Sequence, residues 1–407
     1  NVDINKYLSF DLAMNYTRTQ SENLPQGAYN AGNPLQSLLQ WFGRQVNMES
    51  LKNLYDKGND PYTGMPYSWC PAYHQNPYYT MYYNTNSFER NRFFGKTSLW
   101  IKPTSWLKFE GRLGYDYYDT YTKQVVLYHT DYPDGGFWSY NRKNSELNAD
   151  FLAYFDKTFG DNVFSVNAVL GANYRDLNYQ TSSLTAAALI VPGLFTISNV
   201  SGSPGTSMGG SHIRENSVYA NLSLGFKGML YIDASARNDW SSTIADPFFY
   251  PSVSGSWIIT ETFPVLKGSV LEFLKLRGGW AKVGAATSAY QTDRYYSSAG
   301  YNIHGAGQFY NPTTYPPAGL RPESVVTAEV GLEARFFDNR LGFDVALYNK
   351  NTTDQILSVD VSRSTGYSSM KINAGEINNK GAEVQLTATP VRTGDFQWNI
   401  TLNWSKD

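Results

Sequence analysis

Side chains able to do chemistry are scarce in this sequence, and their spacing is poor. The four histidines, His74, His129, His212 and His304, lie in separate segments, and Cys70 is the only cysteine. No pair has the spacing of metal ligands, and a disulfide framework is excluded. Asp131 and Asp134, beside Gly135-Gly136, offer oxygen to a hard cation, but they do not match a calcium loop and a plain turn accounts for them. Gly205-Thr206-Ser207-Met208-Gly209 has the pattern of a nucleophile elbow. That chemistry needs the serine on a strand-to-helix turn with His and acid partners. Here the setting is a Gly/Ser-rich loop, and chance explains the match. Phosphate-cradling and dinucleotide-binding fingerprints are missing. These residues predict no enzyme, no metal site and no cofactor.

Aromatic side chains are the abundant resource: 32 Tyr, 22 Phe and 10 Trp. They concentrate between Gly58 and Tyr83, where Tyr62, Tyr67, Trp69, Tyr73, Tyr78, Tyr79, Tyr82 and Tyr83 alternate with Pro61, Pro66, Pro71 and Pro77. Aromatic faces pack on sugar rings and peptide backbones while keeping a polar tip. Tyr67, Trp69, Tyr73, Tyr78 and Tyr79 are therefore the candidate substrate-binding residues. The competing explanation is that these rings pack the loop on itself or against a partner. A second aromatic loop spans Tyr128 to Tyr140. A third carries Tyr290, Tyr295, Tyr296, Tyr301, Phe309, Tyr310 and Tyr315, which suit rim packing or partner contact.

Such loops need a scaffold, and composition limits what it is. Of 407 residues 17% are charged, against a usual ~25%, and the wealth of aromatics excludes disorder. A net charge of -2 gives no general reason to bind nucleic acid. The apolar stretch Ala186 to Val191 is far short of the ~20 residues of a spanning helix, and mean hydropathy is -0.43. The dominant pattern has period two, the mark of strands. Leu8, Phe10, Leu12, Met14 and Tyr16 share one face, and Leu107, Phe109, Leu113, Tyr115 and Tyr117 another. Similar alternation at 147–155, 164–174, 218–226, 230–236, 253–259, 326–336, 341–347, 382–388 and 396–404, with weaker segments at 93–101 and 274–283, predicts about 13 strands. Helical periodicity is nearly absent, with one short turn expected at 264–273.

Short and long connections alternate. Tight links at 102–105, 156–162, 227–228, 337–340 and 390–395 contrast with long ones at 18–91, 119–144, 179–212, 285–322 and 352–373. Outer-membrane barrels have that asymmetry, with turns at one rim and extended loops at the other. Charges also keep one phase: Lys108, Glu110 and Arg112, then Asp233 and Arg237, then Glu329, Glu333 and Arg335. Lys or Arg on a lipid-facing stripe costs about 2–4 kcal/mol, so the charged stripe must face a hydrated lumen and form ion-pair ladders there. Trp106, Trp257, Phe336, Trp398 and Trp404 suit the interfacial girdles. The expected fold class is an all-β transmembrane antiparallel β-barrel segment with long extracellular loops. An odd strand count leaves an unpaired edge, so residues 1–407 are expected to be an interior portion of a larger barrel domain.

Ala236-Arg-Asn-Asp-Trp-Ser-Ser242, Tyr250-Pro-Ser-Val-Ser-Gly-Ser-Trp257, Phe273-Leu-Lys-Leu-Arg277, Leu320-Arg-Pro-Glu323, Tyr348-Asn-Lys-Asn351 and Asn378-Asn-Lys-Gly-Ala-Glu383 carry a family resemblance, as do Ala388-Thr-Pro390 and Trp398-Asn-Ile400. Together they resemble the SusC/RagA family of TonB-dependent outer-membrane transporters, from about residue 92 onward. The resemblance implies a 22-stranded barrel occluded by an N-terminal plug and driven by the TonB complex. It implies a SusD-like surface lipoprotein as lid, oligosaccharides or oligopeptides as cargo, and residence in the outer membrane of a Gram-negative bacterium, among its lipids. Plug, TonB box and closing C-terminal strands are expected to lie outside this chain. Three other classes compete: a passive porin, a barrel-embedded hydrolase and a soluble glycan-binding β-protein.

Overall fold

The computed structural model describes the chain apart from residues 28, 29, 31, 71, 72, 130, 131, 269, 316 and 318, and apart from the side chains of residues 36, 37 and 301. Asp131, Pro71 and the Tyr301 side chain thus lie outside the described residues. Strands dominate. They begin with β1 (Val2–Asn5), β2 (Leu8–Ser21), β3 (Asn86–Ile101), β4 (Leu107–Val126), β5 (Gly136–Phe159), β6 (Phe164–Ala186) and β7 (Gly205–Phe226). Next come β8 (Leu230–Ser241), β9 (Phe248–Ile258), β10 (Leu271–Ala285), β11 (Ser297–Ile303), β12 (Ala306–Tyr310) and β13 (Thr314–Tyr315). The series ends with β14 (Glu323–Phe336), β15 (Leu341–Thr353), β16 (Ile356–Asp360), β17 (Ser369–Asn373), β18 (Glu376–Arg392) and β19 (Gln397–Lys406). Fourteen of these form one sheet in chain order, β1 to β10, then β14, β15, β18 and β19, and its pairs are antiparallel. All 13 strands expected from alternation are in it. The fourteenth, Val2–Asn5, is too short to show a period.

The sheet is inside-out. Outward-phase Phe151, Leu170, Ile232 and Leu402 keep 57, 61, 52 and 58% of their surface exposed, whereas Ser98, Glu110, Thr120 and Ser217 of the other phase keep 3, 4, 6 and 3%. A soluble sandwich reverses this order. Lipid is the solvent that stabilises such an outer face, and backbone groups are satisfied within the ladder. The chain is a transmembrane antiparallel β-barrel segment.

The two rims differ as expected, but strands run further than the apolar alternation. Where 119–144 and 179–212 were read as connections, β4 to β7 continue, and the loops shrink to 127–135 and 187–204. These strands have 20, 24, 23 and 22 residues, about twice the 9–11 needed to cross. Beyond the membrane the outward residues turn polar (Ser139, Asn141 and Lys143 on β5), so alternation fades while the hydrogen-bonded ladder persists. At the tight rim, Lys227 and Gly228 take φ of 50° and 68°, the left-handed geometry that a short hairpin needs and glycine readily adopts. Rings gather there: Trp106 on Phe155, Phe164 on Phe226, and Phe336 on Phe343. Trp404 is an exception. It pairs with Val384, which pairs with Val345, placing it inside the apolar band rather than at its end. The helical turn expected at 264–273 is instead Ile259–Thr262 followed by the 3-10 turn Pro264–Leu266, because β10 already starts at Leu271.

Candidate functional site

Two surfaces are candidates for a functional site: the inner face of the wall and the loops at the long rim. On the inner face, charges cross-link neighbouring strands. Arg112 reaches Asp150 at 3.0 Å, and Arg175 bridges Glu146 and Glu215, each at 2.9 Å. Arg277 makes two parallel 2.7 Å bonds to Asp344, spanning β14 to reach β15. Its guanidinium lies flat over Gly331, where a Cβ would come within 2.7 Å of Cζ. Tyr219 covers Gly171 and Tyr348 covers Gly381 in the same way. Buried Glu110 accepts from Ser98 Oγ (2.7 Å) and Tyr154 Oη (2.9 Å). The expected ladders therefore exist, and alternation had predicted their phase but not their partners. Asp233, Ser254, Lys275, Arg277, Gly279 and Glu329 border a hollow of about 460 Å³.

At the long rim, the described residues between 22 and 85 include short helices that periodicity did not reveal, two of which frame the site. Asn47 Oδ1 accepts from Glu49 N and Ser50 N to start Met48–Asp56, whose Leu51 is fully buried. Asn76 caps Pro77–Tyr83 by accepting from Tyr78 N at 3.0 Å, with Pro77 in the first turn. Fully buried, Asn76 also donates through Nδ2 to Leu51 O (2.8 Å) and Tyr67 O (3.2 Å). One amide thus ties both helices to the segment carrying Tyr67. Asn84 Nδ2 donates to Tyr128 O and its Oδ1 accepts from Leu127 N, both at 3.1 Å, joining this loop to the next.

These ties enclose a pocket of about 400 Å³ lined by Tyr55, Asp56, Asn59, Tyr67, Tyr79 and Tyr83, among others. Of the five candidates, the structure brings Tyr67 and Tyr79 to it. Tyr78 adjoins through Tyr55, ring centroids 6.3 Å apart. Trp69 instead stacks on His74 at 5.2 Å and meets Phe42 at 4.7 Å, and Tyr73 points to solvent, 74% exposed. Trp69 Nε1 and Gln75 Nε2 are buried donors with no acceptor among the described residues. Burial raises the Tyr79 and Tyr55 phenols above their ordinary range, with Tyr83 adding to the effect at Tyr55, and burial holds His74 below its own. Tyr55, Asp56 and Asn59 were missed by sequence reasoning. Asn47, the start of the helix that carries Tyr55 and Asp56, was the available signal.

The other sequence features settle into structural roles. Gly205–Gly209 opens β7 as extended strand rather than a turn, so no nucleophile elbow forms. His212 lies 2.9 Å from Asp176, and no cluster of metal-binding side chains occurs among the described residues. Tyr132 packs edge-on against Trp138 in the second loop. In the third, Tyr295, Tyr296, Phe309 and Tyr310 remain exposed around the hairpin β11–β12. Ile244, Phe248 and Leu320 form a small core with Tyr250 and Ile356 beneath the sheet β13–β17–β16.

Comparison with known proteins places this geometry. The family described as TonB dependent receptor-like, beta-barrel matches residues 10–406. TonB-dependent receptor P26 of Formosa agariphila is 26% identical over 366 residues, 86% of this chain and 36% of that protein. TonB-dependent receptor SusC of Bacteroides thetaiotaomicron is 30% identical over 162 residues, 38% of this chain and 16% of that protein. The chain spans about a third of the length of P26. Among solved structures, the RagAB peptide transporter superposes with a TM-score of 0.79 at 18% identity, over 99% of this chain and 45% of that one.

Proposed function

Because this chain belongs to the TonB dependent receptor-like β-barrel family, we propose that it supplies wall and mouth to an outer-membrane importer of oligosaccharides or oligopeptides. Uptake is powered by the TonB complex through a region of the protein outside this chain, and a SusD-like surface lipoprotein covers the mouth. The host is a Gram-negative bacterium. One observation carries the reading: an inside-out sheet has a charged inner face, and the loops at its long rim build an aromatic pocket. Likeness to the RagAB peptide importer supports peptide as one cargo class.

Tyr67 and Tyr79 are the proposed cargo contacts, because their rings line the pocket. Trp69 and Tyr78 shape its surroundings, and exposed Tyr73 is placed to meet cargo or lid. The buried donors Trp69 Nε1 and Gln75 Nε2 support completion of this loop by a bound partner or cargo. The test is uptake of labelled oligopeptides and oligosaccharides by cells carrying the full-length protein, with and without TonB. Uptake that stops without TonB is expected, and uptake that continues makes the protein a passive porin. Tyr67→Ala with Trp69→Ala is expected to reduce uptake, and an unchanged rate removes the loop from the cargo path.

A further inference from the structure

High on the inner face, one row of side chains carries two cations that no described carboxylate neutralises. Register places Arg90, Thr120, Arg142 and Thr181 in line across β3 to β6. Arg90 donates through Nε to Thr120 Oγ1 at 2.9 Å, and its guanidinium lies 5.2 Å from the centre of the Tyr118 ring. The Arg142 guanidinium lies over Tyr140 (5.3 Å) and Tyr179 (5.9 Å). Its Nε is buried with no acceptor among the described residues. We propose that Arg90 and Arg142 form a seat for the carboxylates of an anionic oligomer on its way down the wall.

Lower on the same face the arginines are already engaged. Arg92 donates to Asp116 at 2.9 Å, Arg112 to Asp150 at 3.0 Å, and Arg175 to Glu146 at 2.9 Å. Asp116 and Glu146 are the highest acidic side chains at inward positions of β3 to β6. Glu89 and Asp119 stand higher, but in the outward phase, where they meet Arg18 and Lys143. The row of Arg90 and Arg142 therefore has charge to spare. An aromatic ring attracts a guanidinium without supplying an acceptor, so the N–H fork that matches a carboxylate stays available.

Position suits a cargo contact, and in this the inference rests on the import reading. Arg90 is the fifth residue of β3, roughly 14 Å along the strand from Asn86, whose carbonyl accepts from Leu24 N of the long loop. The apolar stripe of β3 starts beyond it, at Phe93. The row thus lies between the aromatic pocket and the membrane band. No Lys or Arg lines that pocket, so the row adds a preference for negative charge that the pocket lacks. Two strand spacings separate Arg90 from Arg142, roughly 10 Å at the backbone, and both can reach one chain that bears carboxylates on successive units. Uronic-acid oligosaccharides and acidic peptides share that chemistry.

Isothermal titration of the full-length protein in detergent micelles is the test. Its probes are a short oligogalacturonate and its methyl ester, and a short glutamate peptide and its glutamine counterpart. Tighter binding of an acid than of its neutral counterpart is expected, and the acid preferred identifies the source of the carboxylate. Arg90→Gln with Arg142→Gln is expected to weaken acid binding about tenfold and to leave the neutral oligomers unchanged. Arg90→Lys with Arg142→Lys keeps both charges without the forks and is expected to fall between. Equal binding of acidic and neutral oligomers overturns the proposal, as does an acid preference that survives the Gln pair. Where the Gln pair does not assemble, the Lys pair decides, and acid affinity equal to that of the unaltered protein overturns the fork-based seat. Titration needs no TonB, so a failure of the seat and a failure of the import reading are told apart.

Discussion

Replacing Val253 and Ser254 by lysine, one at a time, tests the placement of the whole sheet. The two are neighbours on β9, and Val253 is sixth of eleven residues, at mid-depth in the wall. Val253 pairs with Ala234 and Trp280 on the outward face and is 47% exposed. Ser254 pairs with Asp233 and Gly279 and borders the inner hollow near Lys275 and Glu329. A lysine facing hydrocarbon at the bilayer midplane costs about 2–4 kcal/mol. At about 1.4 kcal/mol per factor of ten, the folded-to-unfolded ratio of Val253→Lys falls roughly 30- to 700-fold. Ser254→Lys puts the same ammonium into water among both signs of charge, Asp233 and Glu329 with Lys275 and Arg277, where a pair interaction is worth about 0–1 kcal/mol, so stability moves by no more than that. Reversible urea unfolding of the full-length protein in lipid vesicles, followed by tryptophan fluorescence, measures both. Equal losses, or a larger loss at Ser254, would refute the outward placement of the apolar stripe.

Two further expectations concern the loop. Asn76→Ala leaves Leu51 O, Tyr67 O and Tyr78 N without their buried partner, and should destabilise the segment 47–84 locally by about 2–4 kcal/mol. Hydrogen exchange should rise there and stay unchanged in β4 to β7, and a uniform rise would contradict the local role. Partial burial beside Trp41 and Trp69 lowers the folded pKa of His74 below the ordinary value of about 6.5. Its contribution is complete above that value and is lost as pH falls through the lower folded one. Loop protection factors, taken against the intrinsic exchange rate at each pH, should therefore fall between pH 7 and pH 5, and His74→Phe should blunt the change.

The strands that cross the membrane were legible because lipid on one side and water on the other force a contrast between adjacent residues. Leu230, Ile232, Ala234 and Ala236 against Tyr231, Asp233, Ser235 and Arg237 is that contrast in one segment. Where both faces meet water it vanishes, which is why the upper halves of β5 and β6 read as loops although Asn141↔Ser182 and Ser139↔Leu184 are ordinary ladder pairs. The loop helices escaped for a different reason. Pro77–Tyr83 has seven residues, two turns, and is held by Asn76 rather than by an apolar stripe. The aromatic richness of 58–83 was plain, yet composition cannot separate Tyr79, buried at the pocket, from Tyr73, which is in solvent. That separation depends on contacts with Tyr83 and Leu127, distant in the chain or set by the helix.

Tyr219, Tyr348 and Arg277 recline against the wall because glycine lies beneath each one. The thickness of the wall's inner layer is therefore governed by the missing methyl groups as much as by the strands themselves. A methyl at Gly171 or Gly331 has the overlying Tyr219 or Arg277 side chain as its nearest neighbour and forces it upright, whereas at Gly381 it also meets the Lys406 carbonyl oxygen at 2.8 Å, so the backbone must give there too. Lifting Arg277 also breaks its two bonds to Asp344, so at Gly331 the shape of the inner surface and the stability of the wall change together.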